Sequence, residues 1–427
     1  MRIRDWDANL KVRLFGEALM NITFWMFFPF LAIYFSDEFG KETAGLFLIA
    51  AQVFSVFANL LGGYSADRFG RKKMMVLASV GQGISFIVFG IAVSPAVDMP
   101  SIAFVCFALA GVFGALYWPA SQAMIADVVP EKDRSDVFAV FYTSLNIAVV
   151  LGPILGSIFY VQYKVELLVV SGLVCMLLAF ILFKWTRETA PLVLEKSDRP
   201  EQFKWYHAIR SQVKDYGVIF RDKTFMLYIL AGVLGAQTFM QLDLLMPVYI
   251  KEMISNETIW NLPGWDLTVN GEQSFGIVLS ENGLLVAIFT ISVTRWMTRY
   301  RERNVFILSS VFYAISILWF GQMSSTIGFL GAMALFTFAE LMTAGLQQSF
   351  ISRIAPEDMR GQYFAAASLR FTIGRTIAPL SIPMTVWFGY NWTFIILSVL
   401  ACAGAVLYYV MFQRYDNPSA KGLNVQG

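Results

Sequence analysis

Apolar runs about 20 residues long divide this chain of 427 residues from end to end. A helix of that length crosses the hydrocarbon of a bilayer, where only helices and closed barrels satisfy every backbone hydrogen bond. Hydrophobic residues make up 57% of the chain and charged residues only 15%, which excludes an ordinary soluble protein. We predict an all-α membrane protein with twelve transmembrane helices, spans 1 to 12. They cover residues 12–36, 43–66, 74–95, 101–127, 136–160, 165–185, 224–250, 275–298, 304–322, 327–351, 362–387 and 391–412.

The basic loop between spans 2 and 3, GYSADRFGRKK at 63–73, sets the direction of the chain. Short loops rich in Lys and Arg stay on the cytoplasmic side. With the N-terminus inside, 27 Lys and Arg residues fall on cytoplasmic segments or at the cytoplasmic ends of spans, three fall outside and two fall deeper within span 11. We therefore predict a multi-pass protein of the bacterial inner membrane with both termini in the cytoplasm. The exceptions are Lys41, Lys164 and Lys251 outside, and Arg370 and Arg375 within span 11.

The two halves of the chain repeat. The segment IADVVPEKDRSDVFA at 125–139 matches ISRIAPEDMRGQYFA at 351–365, with Pro130 and Pro356 separated by 226 positions. Repeated halves are typical of secondary transporters, whose substrate path lies near the midplane. The predicted domains are an N-terminal six-helix bundle at 1–185, a cytoplasmic linker with an amphipathic helix at 186–223, and a C-terminal six-helix bundle with a short tail at 224–427.

Carboxylates inside the spans are the candidates for chemistry, because a charge in hydrocarbon is costly and is kept for function. The one histidine, His207, lies in the linker, so no imidazole is available within the membrane. Asp243 in span 7 and Glu340 in span 10 each share a helix face with apolar and aromatic residues. Such an acid binds either an organic cation or a proton, which is the minimal logic of antiport. The alternative is a neutral acid hydrogen-bonded to a neighbouring helix.

Other charged residues within the spans leave alternatives open. Arg13 and Glu17 are four apart in span 1, so they either neutralise each other or take part in proton coupling. Glu281 in span 8 has no assigned role. For the two arginines of span 11, the candidate partners are Glu340 for Arg370, and Asp67 or Asp127 for Arg375, since a buried arginine usually has a carboxylate partner.

Two motifs carry a resemblance to a known family. Residues 63–72 fit the GxxxDRxGRK signature of the major facilitator superfamily, and residues 152–156 resemble the GPxxG signature of its drug/proton antiporter branch. More narrowly, the chain resembles the LmrP-type multidrug/proton antiporters of Gram-positive bacteria. The similar stretches are LKVRLFG at 10–16, the loop at 63–73, AMIAD at 123–127, MQLDLLMPV at 240–248 and FAELMTAGLQQ at 338–348.

The resemblance implies roles for named residues. Proton coupling falls to Asp243, Glu340, Asp67, Asp127, Arg13 and Glu17. An ionic latch at the cytoplasmic gate, with Arg71 as its central arginine, involves Gly63, Asp67, Arg68, Gly70, Arg71, Lys72 and Asp127, with Gly152 and Pro153 as packing and hinge residues. The substrate-binding candidates are Asp243, Glu340, Trp25, Phe28, Trp118, Tyr142, Asn146, Phe239, Met240 and Gln347. The sequence departs from the LmrP pattern in span 5, where Phe141 or Tyr142 stands in place of an acid.

The leading hypothesis is proton-coupled export of hydrophobic or cationic drugs by alternating access. The partners are then a small substrate, protons and membrane lipids, with a monomeric protein that binds no nucleic acid, needs no cofactor or metal, and is not an enzyme. The alternative is a dedicated exporter or flippase of a lipid or other amphiphile. Nutrient/proton symport and a receptor without transport are less favoured hypotheses.

Overall fold

The computed structural model describes residues 6–189, 222–262, 265–344, 346–355 and 360–416. The predicted amphipathic helix of the linker at 203–221, together with His207, lies outside the described residues. Within them, eleven helical stretches are long and apolar enough to cross a membrane. The last of these, Ala366–Asp416, has 51 residues and is interrupted at Gly389, where φ is 78° and ψ is 165°. Because about 20 residues suffice for one crossing, this stretch makes two, and the prediction of twelve spans is confirmed.

The chain forms two compact units. The first comprises Met1–Phe39 and Ala50–Ile209, and the second comprises Gly40–Ile49 and Arg210–Gly427. In the first unit span 1 is broken by Pro29, which starts a short 3-10 turn, and spans 5 and 6 form one helix with a kink at Tyr163. The helices through the first unit are Ala8–Phe27, Leu31–Phe39, Lys41–Phe69, Arg71–Ala92, Pro100–Val128 and Glu131–Trp185.

The second unit has an antiparallel hairpin between spans 7 and 8, in which Glu257 pairs with Val269. Span 8 then begins with a capping box, in which Asn270 and Gln273 satisfy each other's backbone N–H groups. The helices are Lys223–Phe239, Leu245–Met253, Gly271–Met297, Glu302–Phe320, Thr326–Ala344, Leu346–Ile354, Arg360–Ile377 and Ser381–Asp416, the strands are Glu257–Leu262 and Trp265–Val269, and 3-10 turns cover Met240–Asp243 and Ala378–Leu380.

The core of the second unit is aromatic. Phe306 lies between Tyr408, with ring centroids 5.0 Å apart, and Phe350, at 5.8 Å, and all three are buried. Tyr228 of span 7 packs on the same cluster. These contacts fix the inner half of span 7 against spans 9, 10 and 12, so the span departs from regular helix only further along, at the candidate site.

Candidate functional site

Span 7 changes its backbone geometry at Asp243. The helix Lys223–Phe239 passes into the 3-10 turn Met240–Asp243, and Leu244 then leaves helical geometry with φ −120° and ψ −75°. Pro247 follows in the next helix and has no N–H. The carbonyl of Asp243, four residues earlier, therefore has no i+4 donor. One acidic side chain and one carbonyl oxygen are thus placed at the same break.

A polar cluster on spans 8 and 10 orients the second acid. The side-chain amide of Asn282 donates to the Glu340 carboxylate at 3.1 Å and to the hydroxyl of Thr337 at 2.9 Å. Thr337 in turn donates to the carbonyl of Met333, which fixes its lone pairs toward Asn282. Asn282 and Thr337 are buried. A buried amide with two fixed acceptors holds one Glu340 oxygen and leaves the other for a ligand or proton.

Spans 7 and 11 are held together at the break and about one turn before it. Gln241 donates to the carbonyl of Ala378 at 3.3 Å and accepts from the hydroxyl of Ser381 at 2.6 Å. One turn earlier on span 11, Gly374 meets span 7 so closely that an added Cβ would lie 2.7 Å from the Cβ of Ala236. Arg375 lies on span 11 between these two contacts with span 7.

The charges of the site belong to three spans. The charge of Arg375 acts on Asp243, and the charge of Asp243 acts on Glu340. Arg375 makes no ion pair with Asp243 within the described residues, and the Oδ1 of Asp243 is buried without a hydrogen-bond partner.

The pairing of Arg370 with Glu340 suggested from the sequence is wrong. For Arg375, the charged neighbour within the second unit is Asp243, while Asp67 and Asp127 bind Arg71 in the first unit. Arg370 donates to the hydroxyl of Tyr228 at 2.6 Å and to the carbonyl of Ala367 at 3.0 Å, and its guanidinium lies 4.9 Å from the Tyr228 ring centre.

The reason is the rotation of span 11, which turns Arg370 toward the aromatic core. Glu340 is therefore not neutralised by Arg370.

The structure places the other predicted residues of the second unit in different surroundings. Phe239 stacks on Phe336 with ring centroids 6.3 Å apart, which joins span 7 to the helix that carries Glu340. Met240 opens the 3-10 turn. Gln347 instead donates to Thr343 at 3.2 Å within its own span. Glu281 has one buried oxygen without a partner, and no charged group of the described residues acts on it.

In the first unit, Arg71 is the centre of a charge cluster at the ends of spans 2, 3 and 4. Its guanidinium lies 2.6 Å from the Asp67 carboxylate and 3.3 Å from that of Asp127, and its backbone N–H donates to Glu188 at 2.7 Å. Gly70, with φ 101°, adopts a conformation that favours glycine at this turn. The arrangement joins spans 2, 3 and 4, while the gating role of these residues stays a prediction.

The neighbouring residues of the signature loop differ in their contacts. Arg68 bonds Tyr64 and Lys72 donates to the carbonyl of Thr186. No other part of the first unit approaches the Cβ position of Gly63.

Arg13 and Glu17 form a buried ion pair at 2.9 Å. The same Glu17 oxygen accepts from the Tyr117 hydroxyl at 2.7 Å and from Ser121 at 3.1 Å. Arg13 also donates to Ser121, and its guanidinium lies 4.9 Å from the ring centre of Phe141. Of the two readings left open by the sequence, this geometry favours mutual neutralisation.

The remaining predicted residues of the first unit do not form one cluster. Gly152 packs directly against the backbone of Trp25, so it serves close packing of spans 1 and 5. Trp25 meets Phe28 edge to face at 5.4 Å. Exposed side chains complete the set, and their role as substrate contacts stays a prediction: Trp118, Tyr142 and Asn146. Pro153, beside Gly152, lies inside the long helix of spans 5 and 6.

Several site residues were not singled out from the sequence. The sequence analysis assigned no role to Gln241, Gly374, Asn282 or Thr337. For three of them a signal was present, because Gln241, Asn282 and Thr337 are polar residues within three positions of an acid inside an apolar run.

Twelve helical spans from two repeated halves, with carboxylates at a broken helix, define a membrane transport protein. The chain belongs to the Major Facilitator Superfamily, whose sequence model matches residues 14–264 and 254–426. It is therefore a transporter and not an enzyme.

Three relatives show how far the likeness extends. A "Na(+), Li(+), K(+)/H(+) antiporter" of Planococcus maritimus is 57% identical over 97% of this chain and 98% of its own length. The multidrug resistance protein MdtH of Shigella dysenteriae is 23% identical over 85% of this chain and 83% of its own. The crystal structure of a POT family transporter in complex with a thioalcohol-conjugated peptide has a TM-score of 0.73 at 16% identity, covering 96% of both chains, and shows the fold alone.

Proposed function

We propose that this protein exchanges monovalent inorganic cations for protons, with Asp243 and Glu340 as the exchange site. The carrying observation is a carboxylate within each of spans 7 and 10, of which Asp243 keeps a buried oxygen without a partner. The antiporter of Planococcus maritimus, at 57% identity, supports the same assignment. Export of drugs, the leading hypothesis from the sequence, has support from the more distant MdtH relative.

The donor atoms suit a hard cation. Carboxylate and carbonyl oxygens are the ligands that hard cations prefer, and the site offers the acids together with the carbonyl of Asp243 that Pro247 leaves without a donor. Asn282 holds Glu340 in position at 3.1 Å. No sulfur or imidazole group takes part in this set.

Competition between cation and proton follows because both ligands bind to the same carboxylates. Two neighbouring carboxylates in a site of low dielectric resist joint ionisation. A bound cation stabilises both carboxylates as anions. When the cation leaves, a proton binds to one of them and again lowers the negative charge of the site. The two ligands therefore exclude each other at one site, and alternating exposure of that site to the two sides of the membrane gives exchange.

A second candidate function is efflux of hydrophobic organic cations. Phe239 and Phe336 stack beside the break in span 7, and Tyr313 packs edge to face on Phe336 at 4.8 Å. Aromatic faces next to a carboxylate attract organic cations. The same acids would then serve both kinds of substrate.

Proteoliposomes with an imposed pH gradient and a pH-sensitive dye test the proposal. We expect addition of NaCl, LiCl or KCl to dissipate the gradient, and we expect Asp243→Asn and Glu340→Gln to lower the rate at least about tenfold. Glu302→Gln serves as the control, since Glu302 pairs with Arg353 at a helix start. Wild-type rates in both amide variants would exclude this site, and a response to ethidium without a response to the salts would favour the second function.

A further inference from the structure

The linker that follows span 6 is tied to the first unit at its first four residues. Residues 186–189, called the strap below, have no regular secondary structure. Asn9 of the first helix donates to the carbonyl of Arg187 at 3.2 Å and accepts from its backbone N–H at 2.9 Å. Lys72, in the helix of span 3, donates to the carbonyl of Thr186 at 2.7 Å. The backbone of the strap is therefore fixed to two spans.

Glu188 of the strap caps the helix of span 3. Its Oε1 accepts from the backbone N–H of Arg71 at 2.7 Å and from that of Lys72 at 3.3 Å. Gly70 makes room for this carboxylate, because an added Cβ would clash with Oε2 of Glu188. The first N–H groups of a helix have no partner within the helix and carry a partial positive charge, which a carboxylate stabilises. Glu188 thus fixes the turn from which the guanidinium of Arg71 extends.

Thr189, the last residue of the strap, bonds an acid that also binds Arg71. Its hydroxyl donates to Oδ2 of Asp127 at 3.1 Å, and the same oxygen lies 3.3 Å from Nε of Arg71. Arg71 is therefore held from two directions. Glu188 bonds its backbone, and Asp127, which Thr189 bonds in turn, pairs with its side chain.

We propose that the strap is a working part of the latch formed by Arg71, Asp67 and Asp127, with Glu188 as the residue that positions Arg71. Release of the strap then weakens the Arg71 pairs, and loss of those pairs weakens the strap, because coupling between two sites is reciprocal. Since the strap is the start of the linker between the two halves, a movement of the linker acts directly on the latch. The inference builds on the latch role predicted for Arg71, and its transport measurement rests on the proposed function.

Transport in proteoliposomes that carry a pH gradient tests the positioning role. With NaCl as the salt, Glu188→Ala should lower the initial rate at least about fivefold, whereas Glu188→Gln keeps an acceptor oxygen and should recover most of it. Added to Arg71→Gln, Glu188→Ala should have no further effect, since no guanidinium remains to be positioned. Arg187→Gln is the matched control, because that side chain forms an exposed ion pair with Asp7, and such pairs contribute little. Equal losses in the two Glu188 variants, or multiplied losses in the double variant, would overturn the assignment.

Proteolysis of the purified protein tests the strap without transport. Asn9 bonds both backbone groups of Arg187, so trypsin cuts after Arg187 only when the strap is released, and the cleavage rate follows the released population. We expect Asn9→Ala and Arg71→Gln each to raise this rate at least about fivefold, although neither changes the sequence at the cut. Faster cleavage in Asn9→Ala with an unchanged rate in Arg71→Gln would show that strap and latch are independent.

The two measurements separate the failure of this inference from the failure of the proposed function. A wild-type protein without any response to NaCl would refute the proposed cation exchange. Faster cleavage after Arg187 in the Arg71→Gln variant would still support the coupling of strap and latch in that case.

Discussion

Asn282 donates to Glu340 across 3.1 Å from the adjoining span. The amide cannot turn away, because its nitrogen also bonds Thr337 at 2.9 Å. One oxygen of Glu340 is therefore held in place in an environment that excludes most water. The acid is prepared to bind a cation without first losing the freedom of its side chain.

Replacing Asn282 by Ala should weaken cation binding. A hydrogen bond to a charged group contributes about 1.5–3 kcal/mol, so we expect the KM for sodium to rise at least about tenfold, measured as the salt dependence of gradient dissipation. Ser316→Ala is the matched control, since that buried hydroxyl donates to the carbonyl of Ala332 away from the acids. Equal KM values in the two variants would contradict a role for Asn282 in the site.

Replacing Gly374 by Val should separate spans 7 and 11. The added side chain meets Ala236 and the backbone of span 7, and overpacking of this kind costs about 1–3 kcal/mol. We expect a lower Tm in detergent and loss of transport, because the frame around Arg375 is disturbed. Gly235→Val provides the comparison, since no other part of the structure lies within 4 Å of its added Cβ. Similar losses from both substitutions would show that the close approach is unimportant.

Replacing Arg71 by Gln should slow transport by more than about tenfold. It leaves Asp67 and Asp127 without their shared partner, and partly buried ion pairs of this kind are costly to break on one side. Initial rates of cation-driven proton movement measure the effect. Arg68→Gln is expected to remain near wild type, because Arg68 bonds Tyr64 and pairs with no acid of the described residues. An unaffected Arg71→Gln variant would count against the latch.

A double-mutant cycle separates the two readings of Arg13 and Glu17. Glu17→Gln leaves the fully buried Arg13 without its counter-charge, and breaking a buried pair costs about 3–5 kcal/mol. We expect the Tm of that variant to fall further than the Tm of Arg13→Gln with Glu17→Gln. Additive Tm losses together with altered proton coupling would restore the view that Glu17 carries protons.

The sequence was sufficient for the fold because the deciding signals are local. The length of an apolar run and the Lys and Arg content of a loop need no knowledge of neighbouring helices. Asp243 and Glu340 stood out for the same reason, since each is a lone acid within such a run. The arginines of span 11 did not pair as expected, because pairing depends on how each helix is rotated about its axis. Arg370 and Arg375 lie five residues apart and face different neighbours.

A local sequence pattern also does not predict whether the site binds an inorganic or an organic cation. It depends on how Asn282, Thr337 and the break at Asp243 combine across three spans. Gly374 gave no signal of its own in the sequence, because glycine is frequent in membrane helices and only the distance to Ala236 shows its purpose.

The 3-10 turn Met240–Asp243 has a mechanical consequence. It joins two rigid rods, and the outer one, Leu245–Met253, is nine residues or about 13 Å long. A small change in the angle at this joint is amplified along such a rod into a larger displacement at its end. A ligand bound at Asp243 acts on this joint directly. A change within one helical turn then alters the orientation of the whole outer helix.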